Sequence, residues 1–350
     1  MDNLKDAGHR DAVAAAMNFE SIGRTPVNNF AVVTAAHSAG YTVTQARNDP
    51  VLSARVSVDY AMKTRSDFVK PILDSQIPFA DMGMEVRFPE DDYGMVPKPM
   101  INGPEELDDL AVFDPFKASE CPRFTSVFVD SIKETARILP EDLHICGLSW
   151  GPLTMAGYTM GTENMMFQML LEPDFVKAAI RKVTGLVTAM EQRMIEAGAT
   201  VMWMADPTSS EDLISKDMFR EYSYDAIKEV IADTKAYRNV PAFVHICGNT
   251  LNTMSVLKEI GTDCFSFDHA VDPAAARKSA GNLAIMGNID PVAVMMMGTP
   301  EKVKRESYRV IEAAGSDGGL ILAPGCEMPL NTPDENAVMM GESARSYWQS

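Results

Sequence analysis

"TVMWMADPTSSEDLISKDMFREYSYDAIKEVIADTKAYRNVPAFVHICG" (200–248) holds a strand, a helix and a second strand in one continuous run. The β-rich runs are Thr200–Ala205 and Ala242–Cys247. Both are short and apolar, and each ends in turn-forming residues, Asp206-Pro207 in one and Gly248 in the other. Between them, "SKDMFREYSYDAIKEVIADTK" (215–235) reads as an amphipathic helix with Ser215 as N-cap and Asp217 in the first turn. Strand, helix, strand in this order is the repeating unit of parallel α/β folds.

The same rhythm extends along the chain. Further strands are expected at Thr25–Val32, Asp67–Leu73, Leu143–Leu148, Cys264–Asp268, Leu283–Gly287 and Leu320–Ala323. "EPDFVKAAIRKVTGLVTAMEQRMIEAGA" (172–199) carries apolar residues at three- and four-residue steps and stops at Gly198. "TPDENAVMMGESARSYW" (332–348) opens with Thr332 as expected N-cap, Pro333 at the first helical position and Glu335 completing a capping box. Strands alternating with helices up to eight strands predict one (β/α)8 TIM barrel, a single domain over residues 1–350. A doubly wound open sheet is the alternative, but no GxGxxG opens a helix after an early strand. The N-terminal "MDNLKDAGHRDAVAAAMNFE" has charges where a signal peptide has an apolar core, and it reads as a helix. Residues 79–123 break the rhythm. "MGMEVRFPEDDYGMVPKPMINGPEELDDL" (82–110) reads as a β-hairpin excursion after the second strand, followed by a polar loop. It is expected at the barrel's C-terminal face, as a docking rim or as a lid.

With 49 Asp+Glu against 31 Lys+Arg, the net charge is −18, which repels phosphate backbones and anionic lipid. Neither nucleic acid nor a membrane is an expected partner, and no run of 18 apolar residues spans a bilayer. Five scattered Cys suit a reducing cytoplasm better than a disulfide framework. The 25 Met are read as flexible core filler.

"HICG" occurs at 144–147 and again at 245–248, in a chain with 5 His and 5 Cys. The first copy follows "PED", so His144 is expected near the N-terminal end of its strand, as a core histidine beside an inert Cys146. The second ends its strand, at the face where barrels of this kind carry their active sites. The strand period of two places His245 and Cys247 on one side. Cys326, in "LAPGCEMP" just past the last strand, is expected at the same face. One imidazole and two thiolates suit Zn²⁺, and three protein ligands leave a fourth position open. A buried free cysteine without metal is the other reading of such spacing. Cys121, Cys264, His9 and His37 show no metal-like spacing and are read as structural.

"AFVHICGNT" (242–250) with "APGCEMPLNTPDEN" (323–336) resembles the zinc signature of the methylcobamide:coenzyme M methyltransferases, a branch of the uroporphyrinogen decarboxylase superfamily. "MGMEV" (82–86), "ADPTSSEDLISKDMFREY" (205–222) and "GNIDP" (287–291) are similar to the wider superfamily, and the likeness runs from about residue 20 onward. The resemblance implies a (β/α)8 barrel and a zinc ion that holds an acceptor thiol, such as coenzyme M, as a thiolate. It also implies a methyl donor, the methyl-Co(III) corrinoid (methylcobalamin type) of a partner corrinoid protein. Departures exist. The decarboxylase branch has an Arg-rich stretch after its first strand, where this chain has "VNNFAVVTAAHSAG" (27–40), and a His where this chain has Cys326. Other readings stay open: methyl transfer from a methylated substrate to the corrinoid, or from corrinoid to a folate; a decarboxylase; and a non-catalytic corrinoid-binding barrel.

Within this reading, Asp268 and His269 end the sixth strand at the site's face, and either is a candidate displaceable metal ligand; a plain loop role is the other reading of His269. Asp206 is a candidate for orienting substrate or a histidine N–H, against a plain turn before Pro207. Lys70, a charge inside an apolar strand, is a candidate for pairing with a sulfonate or carboxylate on the acceptor. The alternative is a lysine that snorkels to the surface.

Overall fold

Seven parallel strands are hydrogen-bonded in chain order: β1 Phe68–Val69, β2 His144–Trp150, β3 Val201–Ala205, β4 Ala242–Ile246, β5 Cys264–Phe267, β6 Ala284–Ile289 and β7 Leu320–Pro324. This is a computed structural model, and it describes residues 8–20, 23–140 and 142–349. Parallel neighbours require a crossover, and helices provide it. The longest is Pro173–Ala197, which ends at Gly198 with φ +121°.

The sheet curls until its edges meet. Segment 26–28 bridges them: Asn28 N donates to Leu322 O (2.9 Å), Leu322 N to Pro26 O (2.8 Å) and Asp67 N to Val27 O (2.7 Å). The eighth strand expected at Thr25–Val32 is therefore only a bridge at Val27. The reason is local. Asn28 Oδ1 accepts from Phe30 N and Asn29 Oδ1 from Ala31 N, so two Asn side chains draw the backbone out of the ladder. β1 is likewise cut to two residues, because Pro71 has no N–H to donate.

Alternation along the strands sorts side chains into two layers. Phe68, Cys146, Val201, Trp203, Phe243, Cys264, Met286 and Ile321 fill the barrel interior with Phe30. Val13, Ala16 and Met17, from the helix His9–Met17, close on that cluster. This helix is part of the one expected at the N-terminus; residues 1–7 lie outside the described residues. The outer faces, with Ile145, Met202, Val244 and Phe265, pack under the helices, and buried methionines such as Met155, Met190 and Met194 fill the gaps. Ser215 does cap its helix, accepting from Met218 N. The capping box expected at Thr332 is absent: the helix starts at Asp334, and Thr332 Oγ1 donates to Pro329 O instead.

The expected hairpin in 79–123 is reduced to one antiparallel bridge, Arg87 with Met95. Prolines at 89, 97 and 99 remove the donors a longer ladder needs. The excursion is held by Arg47 instead. That buried guanidinium donates to Pro89 O and Asp92 O and pairs with Asp74 (2.8 Å), whose Oδ2 also accepts from Gly94 N. No helix among the described residues is long and apolar enough to cross a membrane.

Candidate metal centre

A row of paired residues crosses the sheet near its C-terminal end: Trp150, Ala205, His245 and Ser266. His245 points inward, like Phe243 two residues before it, and is 2% exposed. Its Nδ1 lies 2.9 Å from Ser266 Oγ, one strand over, and its Nε2 lies 3.2 Å from Cys247 Sγ. Gly248 turns the chain directly after Cys247, with φ +69°. A Cβ there would lie 2.0 Å from Asp212 Oδ2, so the turn needs glycine twice over. Cys326 comes from the loop after β7. A Cβ on Gly325 would lie 2.3 Å from His269 N, so only glycine lets this loop pack on the loop after β5.

The three donor atoms of His245, Cys247 and Cys326 lie within 4.8 Å of one another. The two sulfurs are 3.8 Å apart. Tetrahedral zinc with Zn–S bonds of ~2.3 Å sets its sulfurs ~3.8 Å apart, so the donors fit a zinc ion in type and spacing. The hydrogen bond from Cys247 holds the Cys326 thiol down to about 4, with His245 adding to the effect. The same hydrogen bond, followed by burial, pushes the Cys247 thiol up.

Above these donors lies a cavity of about 350 Å³, walled by Phe30, Trp150, Tyr158, Trp203 and Tyr93. The excursion contributes Asp92, Tyr93, Gly94 and Met95 to that wall. Tyr93 Oη donates to Glu327 Oε2 at 2.6 Å, and Val33 N donates to Glu327 Oε1 at 3.2 Å. Burial pushes the Glu327 carboxyl up, opposed by the charge of Lys70.

Lys70 does not snorkel to the surface. It is 5% exposed and lines the cavity, with Nζ 4.3 Å from the Phe30 ring centroid and 4.6 Å from that of Trp203. Burial pulls its pKa down, against the charge of Glu327. Asp206 is fully buried and does not join the cluster of three donors. Its Oδ1 accepts from Thr154 N, in the first turn of the helix Pro152–Met160, and its Oδ2 from Ser209 Oγ. The histidine partner expected of Asp206 is Ser266. Asp268 stands close enough to act on Cys247 through its charge, but its Oδ1 holds Ala270 N and His269 Nδ1 (2.8 Å). Neither Asp268 nor the exposed His269 joins the cluster of three donors.

Sequence reasoning missed Ser266, Glu327, Tyr93 and the aromatic wall. Ser266 carried a signal, as the polar residue in an otherwise apolar "CFSF" strand (264–267). Glu327 was the neighbour of a proposed ligand. Tyr93 gave no signal, since only the fold of the excursion brings it to residue 327.

The fold matches that of a methyltransferase from Methanosarcina mazei, with a TM-score of 0.87 at 23% identity over 99% of this chain and 100% of that one, a likeness of fold alone. In sequence the chain is similar to a methylcobamide:CoM methyltransferase, MtbA, of Methanosarcina acetivorans, 32% identical over 223 residues. That match covers 63% of this chain and 64% of the relative. A methylated-thiol–coenzyme M methyltransferase of Methanosarcina mazei is 31% identical over 246 residues, 70% of this chain and 64% of the relative. The matches thus span just under two thirds of these relatives' length. The uroporphyrinogen decarboxylase (URO-D) family pattern matches residues 9–347, and the chain belongs to that family.

Proposed function

We propose that this chain moves a methyl group from a methylated corrinoid, presented by a separate corrinoid protein, to a small thiol such as coenzyme M, held at a zinc ion on His245, Cys247 and Cys326. The methyl carbon leaves methyl-Co(III) for sulfur, and the electron pair of the broken bond stays with cobalt as Co(I). The observation that carries this reading is the convergence of one imidazole nitrogen and two sulfurs at the floor of an aromatic cavity. The names of the curated relatives at 31–32% identity agree with it.

When bound, zinc would hold the acceptor as a thiolate at neutral pH, where a free thiol of pKa ~8.5 is mostly protonated. Ser266 Oγ receives the Nδ1–H of His245, which leaves the Nε2 lone pair for the metal. Cys247 gives up the proton it shares with Cys326. The two thiolates would offset the charge of a bound zinc, so that the acceptor sulfur would keep its nucleophilicity. Phe30 and Trp203 pack edge-on against the His245 ring, at 5.3 and 6.4 Å between centroids, in a site where that ring is buried from water. The tie from Tyr93 to Glu327 holds the excursion across the mouth. A decarboxylase acting on a polycarboxylate fits this pocket poorly, because Lys70 is the one Lys or Arg among the lining residues, against two carboxylates.

The test is metal content with methylcobalamin demethylation, followed by absorbance, and S-methyl product, followed by mass. About one zinc per chain and thiol-dependent demethylation that disappears with the zinc are expected. Equal rates with and without zinc would remove the thiolate mechanism. A zinc-loaded protein that methylates no thiol would leave the non-catalytic barrel as the better account.

A further inference from the structure

The sheet does not hold Cys247. β4 ends at Ile246, so Cys247 lies past the ladder in which His245 stands. The Cys326 loop is anchored from behind, because Gly325 N donates to Ile289 O (2.8 Å) in β6. The loop that carries Cys247 takes its support from the neighbouring loop after β3. Glu211 Oε1 accepts from Thr253 N (2.6 Å) and Thr253 Oγ1 (2.7 Å), and Glu211 Oε2 accepts from Asn252 Nδ2 (2.7 Å). Asp212 Oδ2 accepts from Asn249 N (3.0 Å), and Glu211 N donates to Asn249 O (3.0 Å). The two carboxylates thus tie down both ends of segment 249–253, which follows Cys247 and Gly248 directly. Asp212 Oδ2 fills the space where a Cβ on residue 248 would stand.

The supporting loop is itself fixed. Asp206 N donates to His245 O (2.8 Å), and the Asp206 carboxylate accepts from Thr154 N and Ser209 Oγ. One loop therefore grips the histidine's backbone at its start and the segment after the cysteine at 211–212. Glu211 and Asp212 do not act on the thiol by charge: the carboxylate whose charge reaches Cys247 is Asp268. Neither is among the residues that wall the cavity. Glu211 is half-buried and Asp212 exposed, so these charge-assisted bonds guard no core packing. A metal site does gain from them, because a ligand ordered only on binding loses conformational entropy at that moment.

We propose that Glu211 and Asp212 are positioning residues for the metal: through the backbone of 249–253 they hold Cys247 in ligating position before the ion arrives. This rests on the metal-centre reading above and adds the groups that preset its least supported ligand.

Zinc affinity by chelator competition, with the thiolate-to-metal absorption of the cobalt(II)-substituted chain, tests it. Glu211→Ala and Asp212→Ala should each lower zinc affinity about 10–100-fold, the range for groups that orient a metal ligand. The cobalt absorption should fall as Cys247 leaves the ligand set, while the metal-free variants unfold at nearly the wild-type denaturant concentration. Asp212→Asn keeps an oxygen acceptor for Asn249 N and should keep most of the affinity. Thr253→Val removes one donor, leaves both carboxylates, and should shift affinity the same way by less. If the alanine variants do not fold, Thr253→Val decides alone: unchanged affinity there overturns the proposal. If the alanine variants fold and bind zinc and cobalt as the wild type does, Cys247 needs no brace, and the proposal falls with the metal site intact. If Asp212→Asn loses as much as Asp212→Ala, charge matters rather than the bond, and the proposal also falls. If the wild type itself binds no zinc, the metal-centre reading fails and takes the brace with it.

Discussion

The chain writes "HICG" twice, and both copies point into the same barrel. Cys146 lies in the interior cluster with Phe68 and Trp203, and His245 is wedged against Phe30 and Trp203. What separates them is height. His144 opens β2 and pairs with Phe68, the first residue of β1, whereas His245 pairs with Ala205, the last of β3. At the lower level His144 stacks on Phe68, bonds Thr200 Oγ1 (3.1 Å) and stays neutral, since burial pulls its pKa down to about 4. At the upper level the strand ends at Ile246, Gly248 turns the chain, and Cys247 is free to meet a sulfur from another loop. A tetrapeptide thus becomes a candidate ligand pair or core filling according to where the strand stops. The first copy has four more strand residues after its motif's Cys, and the second has none.

The largest expected effect tests that contrast directly. Cys247→Ala or Cys326→Ala should lower zinc affinity by more than the ~100-fold that marks the upper range for outer-shell partners. Cys146→Ala should leave zinc stoichiometry at wild-type level while costing about 1 kcal/mol of stability through a small cavity. Chelator competition and denaturant melts read the two quantities. Zinc loss in Cys146→Ala with retention in Cys247→Ala would reverse the assignment of the copies.

Much of this was legible in the sequence because it rests on periodicity and on strand ends. The alternation of strands and helices marks the barrel, and the residues that follow each "HICG" mark its level. Asp206 and Lys70 were harder for one reason: their roles are set by partners distant in sequence. Asp206 is consumed by Thr154, 52 residues away, in capping a helix. Lys70 is buried by Phe30, just after the segment that closes the barrel, and by Trp203 on β3. A period of two says that residue 70 shares a face with Phe68, but not that the face is interior at that height. The eighth strand was overread because apolar β-branched content outweighed the two asparagines at 28 and 29, whose side chains compete with the ladder.

A smaller effect, of about 3 kcal/mol, concerns the acid side of stability. The folded pKa of His144 is depressed from 6.5 to about 4, so the unfolded chain binds the extra proton first as pH falls. The stabilising contribution of the neutral ring is complete above pH ~6.5 and is lost as pH drops toward 4. His144→Gln should flatten the stability profile across that window relative to wild type, with zinc content unchanged. Denaturant midpoints at intervals from pH 7 to 4 measure it. Parallel profiles for the two proteins would mean that His144 is not held neutral by burial, and the lower copy would lose its character as core.

The smallest effect separates the copies by their hydrogen-bond partners alone. Each histidine Nδ1 has one hydroxyl neighbour from the next strand's side of the barrel: Thr200 Oγ1 at 3.1 Å for His144 and Ser266 Oγ at 2.9 Å for His245. The geometry of the two bonds is alike, but only the second belongs to a ring whose other nitrogen lies near two sulfurs. Ser266→Ala leaves the His245 ring packed against Phe30 and Trp203, so the fold should persist. It removes the acceptor that fixes the tautomer, and zinc affinity should drop about 10–100-fold, the range for groups that orient a metal-binding histidine. Thr200→Ala removes the equivalent bond at the lower level, together with the one from Ile145 N (2.9 Å), and should cost about 1–2 kcal/mol of stability with no change in zinc affinity. Reading both variants by zinc competition and by denaturant melt gives a two-by-two outcome. If Ser266→Ala changes stability and spares zinc affinity, His245 is held by packing alone, and the metal site owes its geometry to the aromatic pair rather than to the hydroxyl.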